Sequence, residues 1–229
     1  MLIGQLCEEA MRIESLLSVI QPMTVSGPTD PDISGLAYDS RQVRPGFLFV
    51  ALRGAHEDGT RFIDDAIQRG AVAIVSEGSV RPRRDVTHLR VEDARRALAE
   101  IACAFHGHPS AELEVIGITG TNGKTTTSFM VRDILAAAGR RPGLIGTVQY
   151  EIGERRIPAS RTTPEASDLQ AMLAQMLRAG CRSAVMEVSS HALEQKRVWG
   201  VDYDDGVFTN LTHDHLDYHG TIERYFSAK

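Results

Sequence analysis

The sequence predicts an α/β protein in two domains, residues 1–108 and 109–229, the second built on a mostly parallel sheet of the phosphate-loop type. Three observations lead there. Short apolar runs alternate with amphipathic stretches along the whole chain. The stretch "GITGTNGKTTT" (117–127) stands between a strand-like run and a helical one, the context a phosphate loop requires. The stretch "HGHPSAEL" (106–113) is rich in turn residues and has no periodicity, and it marks the boundary.

The elements follow in order. "MLIGQLCEEAMRIESLLSVI" (1–20) has the apolar spacing of an amphipathic surface helix, and Glu8 and Glu9 stand where a signal peptide needs an apolar stretch. "FLFVAL" (47–52) is a strand after the turn signal Arg44-Pro45-Gly46. "RFIDDAIQRG" (61–70) places Phe62, Ile63, Ala66 and Ile67 on one helical face and ends at Gly70. "AVAIV" (71–75) is a buried strand, and 92–107 is an amphipathic helix stopped by Gly107 and Pro109. In the second domain, 113–118 is a strand leading into the glycine-rich loop. A helix over roughly 123–138 turns Phe129, Met130, Ile134 and Ala138 inward. "GLIGTVQYEI" (143–152) reads as one strand before a turn at Gly153. Residues 164–180 form a helix with Pro at its start and Gly at its end. Residues 183–188 and 205–211 are further strands.

Composition narrows the class. The 229 residues are 42% hydrophobic, enough for a packed core, and carry a formal net charge of −5. That mild acidity argues against a nucleic-acid partner. Local basic runs such as Arg81-Pro82-Arg83-Arg84 read as solvated loop. No stretch approaches the ~20 apolar residues of a membrane span. Cys7, Cys103 and Cys181 lie far apart, as free thiols of a reducing cytosol do. The expected setting is cytoplasmic.

Four constellations carry chemistry. The usual phosphate loop, G-x-x-x-x-G-K-[ST], would place its first glycine at 118, yet Ile118 stands there and glycines occupy 117 and 120. Gly120 and Gly123 still allow a close backbone, and the N–H groups of residues 121–125 are expected to face the anion. Lys124 supplies a charge for the β/γ-phosphates of ATP and the Thr125 hydroxyl a magnesium ligand. The bland alternative is a glycine-rich turn with a chance lysine. Glu187 ends a buried strand, where a lone carboxylate is costly unless it meets a metal or an arginine. "TNLTHDHLDYHG" (209–220) crowds His213, Asp214, His215, Asp217 and His219 into one loop, which suits magnesium, zinc or a merely polar loop. "RTTPEASDL" sets Arg161, Thr162 and Thr163 before a helix N-terminus, for a second anion or for ordinary capping.

Taken together, "GITGTNGKTTT", "LIGTVQY", "RTTPEASDLQ", "MEVSSHALEQKRV" and "FTNLTHDHLDYHGTIERYFSAK" resemble the ATP-dependent Mur ligases. The segment 38–75 and "HLDYHGT" resemble the MurE type within them, and the resemblance covers nearly the whole chain. It implies a uridine-binding N-terminal domain and an ATP-binding central one. It implies that Thr119, Gly120, Thr121, Asn122, Gly123, Lys124 and Thr125 bind ATP. Thr125 and Glu187 would hold one magnesium; Glu187, His215 and a carbamylated Lys229 a second. Tyr38 and Ser40, with residues 55–57 near them, would meet the uridine. Thr162, Thr163, Ser189, Gln195 and Arg197 would meet the rest of UDP-N-acetylmuramoyl-L-alanyl-D-glutamate. The implied reaction adds a third amino acid, diaminopimelate or lysine, through an acyl phosphate in peptidoglycan synthesis, with a monomeric enzyme. The chain stops at Lys229 where the family continues, so this portion is expected to be inactive alone. A binding module for UDP-sugar or ATP, and a MurF-type ligase, are the competing readings. A folylpolyglutamate synthase fits less well, because it has no uridine-binding domain.

Overall fold

The computed structural model describes residues 10–54, 57–81 and 83–229. Cys7, Glu8 and Glu9, the first part of the expected N-terminal helix, and residues 55 and 56 lie outside the described residues. The chain divides into two compact units, one up to Phe105 and one from His106.

The first unit contains a short pair, β1 (Met11–Arg12) with β3 (Asp32–Ile33), and a five-stranded sheet. The sheet runs in the order β2 (Thr24–Ser26), β7 (Thr87–Arg90), β6 (Ala71–Ser76), β5 (Phe47–Val50), β4 (Gly35–Ala37). Strands β4 to β7 are parallel and β2 is antiparallel at the edge. All four residues of β5 are buried, as expected of a strand covered on both faces. Helix α1 (Ile13–Ile20) buries Ile13 and Leu16. Helix α2 (Ile63–Gln68) sends Ile63 and Ala66 into the core with Phe47, Phe49 and Ile74. Phe62, expected on the same face, belongs instead to a preceding 3-10 turn, Gly59–Phe62, and is exposed. The turn follows from Asp58, whose carboxylate accepts from Thr60 N and starts the tighter winding one turn early. Helix α3 (Ala94–Phe105) begins where Asp93 caps it, accepting from Arg95 N and Arg96 N, both at 2.9 Å.

In the second unit a six-stranded sheet runs β11 (Arg155–Pro158), β10 (Gln149–Ile152), β9 (Pro142–Ile145), β12 (Ser183–Glu187), β8 (Glu114–Thr119), β13 (Asp205–Phe208). The last four strands in that order are parallel. The expected single strand over 143–152 is two. Residues Gly146, Thr147 and Val148 leave the sheet, and β10 returns antiparallel to β9, with Tyr150 opposite Ile145. Alternation alone cannot show such a break, and the reversal is what places Thr147 beside the site. Helices α4 (Lys124–Ala137) and α5 (Ala166–Arg178) cross over between parallel strands. Helix α4 meets the cluster of Ile116, Ile118, Leu144 and Val185 through Phe129, Val131 and Leu135. Met130 and Ile134, expected inward, are 60% and 68% exposed, and Ala138 is exposed as well. Positions 128, 131 and 135 form one helical stripe, and the sheet selects it over the neighbouring 130/134 stripe. Cys103 and Cys181 are both buried, and no helix among the described residues is long and apolar enough to cross a membrane.

His88 of β7 is buried, with Nε2 2.8 Å from the Ser76 hydroxyl. Burial, and then the Arg90 charge, hold its pKa below the ordinary value. The unfolded chain therefore binds more protons in acid than the folded one. The contribution is present above the unfolded pKa of about 6.5 and is lost as pH falls through the lowered folded value. Urea midpoints are expected to fall from about pH 7 to pH 5 more steeply in the native chain than in His88→Gln; equal slopes would contradict this.

Candidate nucleotide site

The site is set by strand register. β12 pairs with β8 so that Glu187 lies opposite Ile118, and β13 pairs with β8 so that Phe208 lies opposite Thr119. The glycine-rich loop thus leaves β8 level with the end of β12, and α4 starts at Lys124 after the four residues 120–123. Ligands of open α/β sheets sit at such carboxyl ends. A cavity of about 300 Å³ opens there, lined among others by Lys124, Thr125, Glu187, His215 and Lys229.

Glu187 is 1% exposed, and both its oxygens are engaged. Oε2 accepts from Thr125 Oγ1 at 2.9 Å and Thr147 Oγ1 at 3.0 Å; Oε1 accepts from Thr147 N at 2.9 Å. Hydroxyl and amide donors, not an arginine, offset the cost of burying this carboxylate.

The loop differs from expectation in which groups face the cavity. Thr121 N donates to the Asn210 carbonyl at 2.9 Å and Asn122 N to Asn210 Oδ1 at 3.0 Å. Those two N–H groups are spent on the segment after β13. The N–H groups of Gly123, Lys124 and Thr125, at the start of α4, are the ones left for an anion. Gly120 also has a different reason than phosphate approach. Its φ is +136°, and a Cβ there would stand 1.9 Å from Thr209 Oγ1. Gly117 is a packing glycine, since a Cβ would meet the Tyr203 ring at 2.7 Å. The displaced first glycine of the motif therefore admits Tyr203 beneath the sheet.

Two ammonium groups share one carbonyl. Lys124 Nζ donates to Gly120 O and Thr121 O, both at 2.8 Å. Lys229 Nζ donates to Gly120 O at 3.1 Å and Thr119 Oγ1 at 3.0 Å. Burial, and then the neighbouring Lys124 charge, bring the Lys229 pKa down to about 8. Lys124 is lowered by burial, against the pull of Glu187 and Asp214. Such a cationic corner of partly dehydrated amines favours an incoming polyanion.

The structure separates the histidines of the 209–220 loop. His215 lines the cavity, its ring centroid 4.8 Å from that of His191. His219 is buried, with Nε2 2.9 Å from Ser190 Oγ, and burial lowers its pKa. His213 is exposed. Among the described residues no group of three or more His, Cys, Asp or Glu could hold a metal. The oxygen pair Thr125 and Glu187 fits a hard cation such as magnesium, which keeps waters and takes few protein ligands.

The remaining expected residues divide. Thr162 and Ser189 line the cavity, and Thr162 Oγ1 is 3.1 Å from Thr147 Oγ1. Thr163 lies beneath, donating to Glu187 O at 2.8 Å and accepting from Ser189 N at 3.1 Å. Gln195 and Arg197 do not line the cavity. Arg197 Nε is 3.1 Å from Glu165 Oε1, and Gln195 Nε2 donates to Tyr218 OH at 3.1 Å. Thr119 does not line it either and serves as acceptor for Lys229. Tyr38 and Ser40 belong to the first unit, where Asp39 caps the short turn Ser40–Gln42 and the Ser40 hydroxyl bonds Asp65. Thr147, Asn210 and Tyr225 went unmarked in the sequence. Tyr225 is buried and shares a hydrogen bond of 3.0 Å with Thr121 Oγ1. Nothing in "LIGTVQY" or "ERYFSAK" singles out Thr147 or Tyr225, but Asn210 beside a histidine-rich loop was a visible polar candidate.

A parallel sheet ending in this loop, with a strand-end acid beside it, defines an α/β protein of the phosphate-loop class. A family model described as Mur ligase middle domain matches residues 118–229, and one described as Mur ligase family, catalytic domain, matches 32–106. The chain belongs to the Mur ligase family. It is 50% identical over 219 residues to the UDP-N-acetylmuramoyl-L-alanyl-D-glutamate--2,6-diaminopimelate ligase of Geobacter metallireducens, covering 96% of this chain and 43% of that protein. The ligase of the same name from Geobacillus thermodenitrificans is also 50% identical, with 96% and 44% covered. A solved ligase of that name superimposes with a TM-score of 0.81 at 31% identity, over 96% of this chain and 44% of the other. A MurF from Acinetobacter baumannii, at 23% identity and a TM-score of 0.64, shares the fold. The chain spans less than half the length of these relatives.

Two glycines in the loop test its construction. Gly120→Ala is expected to cost about 3 kcal/mol in urea unfolding, because it adds both a positive φ and a clash. Gly123, at φ +85° with open space around it, is expected to cost about 1 kcal/mol as alanine. Equal costs would contradict the packing of Gly120 against Thr209.

Proposed function

We propose that this chain supplies the UDP-sugar-binding and ATP-binding parts of a MurE-type, ADP-forming amide ligase. The observation that carries the reading is the convergence of Lys124, Thr125, Glu187, His215 and Lys229 on one cavity. The relatives named above support the substrate. Their names specify UDP-N-acetylmuramoyl-L-alanyl-D-glutamate and 2,6-diaminopimelate, and we assign the same pair to the protein of which this sequence is part.

The chemistry brings two anions together. A substrate carboxylate oxygen attacks the γ-phosphorus of ATP, the bond to the β-phosphate oxygen breaks, and ADP leaves. The amine of the added amino acid then attacks the acyl carbon; phosphate leaves, one proton is released and an amide remains. Lys124 and the N–H groups of residues 123–125 offset the repulsion between carboxylate and triphosphate. Thr125 and Glu187 would hold a magnesium ion, and Glu187, His215 and a carbamylated Lys229 a second. The metal supplies charge neutralisation on the transferring phosphoryl group. Lys229 as an ammonium ion would repel a cation at that place, and carbamylation reverses its sign. Its half-buried position beside Lys124 favours the neutral amine that takes up carbon dioxide. Thr162 and Ser189 would contact the dipeptide end of the substrate in the second unit, and Tyr38 and Ser40 the uridine in the first. Gln195 and Arg197 would act on it by changing partners.

Titration calorimetry tests this. The chain is expected to bind ATP in the presence of magnesium and to bind the UDP-muramyl dipeptide. Lys124→Ala is expected to weaken ATP binding by at least a hundredfold while leaving the UDP-muramyl dipeptide bound. Chelating magnesium is expected to lower ATP affinity in the native chain, and Glu187→Gln to remove that dependence. Unchanged ATP binding in Lys124→Ala would sink the phosphate-loop assignment. Binding of both ligands without ADP formation would assign this portion as a binding module.

A further inference from the structure

We infer that Asn210 is a positioning residue that braces the phosphate loop and selects which of its N–H groups meet the nucleotide. The inference rests on the ATP reading above. Asn210 grips both backbone polar groups of one residue, in the two peptide units that flank its Cα: its Oδ1 accepts from Asn122 N at 3.0 Å and its Nδ2 donates to Asn122 O at 3.0 Å. Only one orientation of the amide makes both bonds, so the network fixes it. The Asn210 backbone carbonyl takes Thr121 N at 2.9 Å. Thr209 Oγ1 adds a second donor to Asn122 O at 2.7 Å. Farther along, Thr212 N donates to Thr121 Oγ1 at 3.0 Å.

The physical consequence is division of labour within the loop. A glycine-rich loop without a brace samples many backbone states, and a ligand must order it on binding. Here residues 121 and 122 are already ordered by the segment after β13, and their N–H vectors are taken. The N–H groups of 123–125 then stand fixed at the helix terminus, where the dipole adds to their pull on an anion. Asn210 is exposed, so its bonds serve the loop rather than the burial of its own side chain. The same segment continues into His215, which couples the loop's shape to a proposed metal ligand through five residues of chain.

The test compares the native chain with Asn210→Ala, the isosteric Asn210→Asp and Lys124→Ala, using magnesium-ATP as probe. Asn210→Ala is expected to weaken ATP binding roughly tenfold with the melting temperature within a few degrees of native. Asn210→Asp keeps one acceptor but sets a carboxylate oxygen against the Asn122 carbonyl, and is expected to weaken it similarly; it carries the test should the alanine variant fail to fold. Amide exchange gives a readout that ATP does not enter: the Asn122 N–H is expected to be protected in the native chain and in Asn210→Asp, which keeps its acceptor, and unprotected in Asn210→Ala, with the β8 and β12 amides unchanged. ATP binding equal to native in both Asn210 variants, or an Asn122 amide unprotected in the native chain, would overturn the inference. If the native chain binds no ATP, or Lys124→Ala binds it equally, the ATP reading itself falls and takes this one with it.

Discussion

The parallel register of β12 on β8, Glu187 opposite Ile118, is the constraint on which the rest of the site depends. One strand ends in a buried carboxylate and its neighbour ends in a phosphate loop. A slip of one residue would turn Glu187 to the other face of the sheet and leave a charge in the core. The register is held where both strands are almost wholly buried, so the hydrophobic effect that builds the second unit also aims its chemistry. Thr125 and Thr147 then reach the carboxylate from two other elements, a helix start and the bend between β9 and β10. Both hydroxyls donate to Oε2, so removing either leaves that buried oxygen with one donor instead of two.

The loop shows how one sequence feature can have two physical causes. Its glycines look like a concession to phosphate. Two of them are explained by protein neighbours instead: Tyr203 packs on Gly117 and Thr209 on Gly120. What remains for the ligand is a helix N-terminus, two lysines crowded on one carbonyl and a hydroxyl already turned to an acid. Two amines crowded on one carbonyl, with Asp214 and Glu187 as the nearby anions, form a corner that draws a polyanion.

Much of this was legible in the sequence. Periodicity located the longer parallel strands, the crossover helices and the loop, because those are strongly patterned segments flanked by glycine and proline; it did not mark the short parallel strands β4 and β7. It failed at 143–152, where a tight reversal leaves no mark in an apolar run, and on α4, where two adjacent stripes were both apolar and only the sheet could choose. Glu187, Lys124 and Thr125 stood out because charged or hydroxyl groups at a strand end or helix start are rare without a purpose. His215 could not be told from His213 and His219 by spacing. The turn at Asp214–His215 and the Ser190 hydroxyl make that distinction, and both are tertiary. Gln195 and Arg197, expected to meet the UDP-muramyl dipeptide, bond Tyr218 and the buried Glu165 in this structure, and those tertiary partners have no mark in the sequence. Family membership adds the length against which this chain is measured: it spans 43% of the Geobacter metallireducens ligase.

A crystal structure of the chain with magnesium and a non-hydrolysable ATP analogue tests the central claim most directly. The account predicts a metal between Glu187 and the Thr125 hydroxyl, phosphate oxygens on Lys124 and on the N–H groups of 123–125, and Asn122 still bonded to Asn210. Phosphates bound through the N–H groups of Thr121 and Asn122, or a nucleotide seated away from Glu187 with its bonds to Thr125 and Thr147 intact, would contradict it.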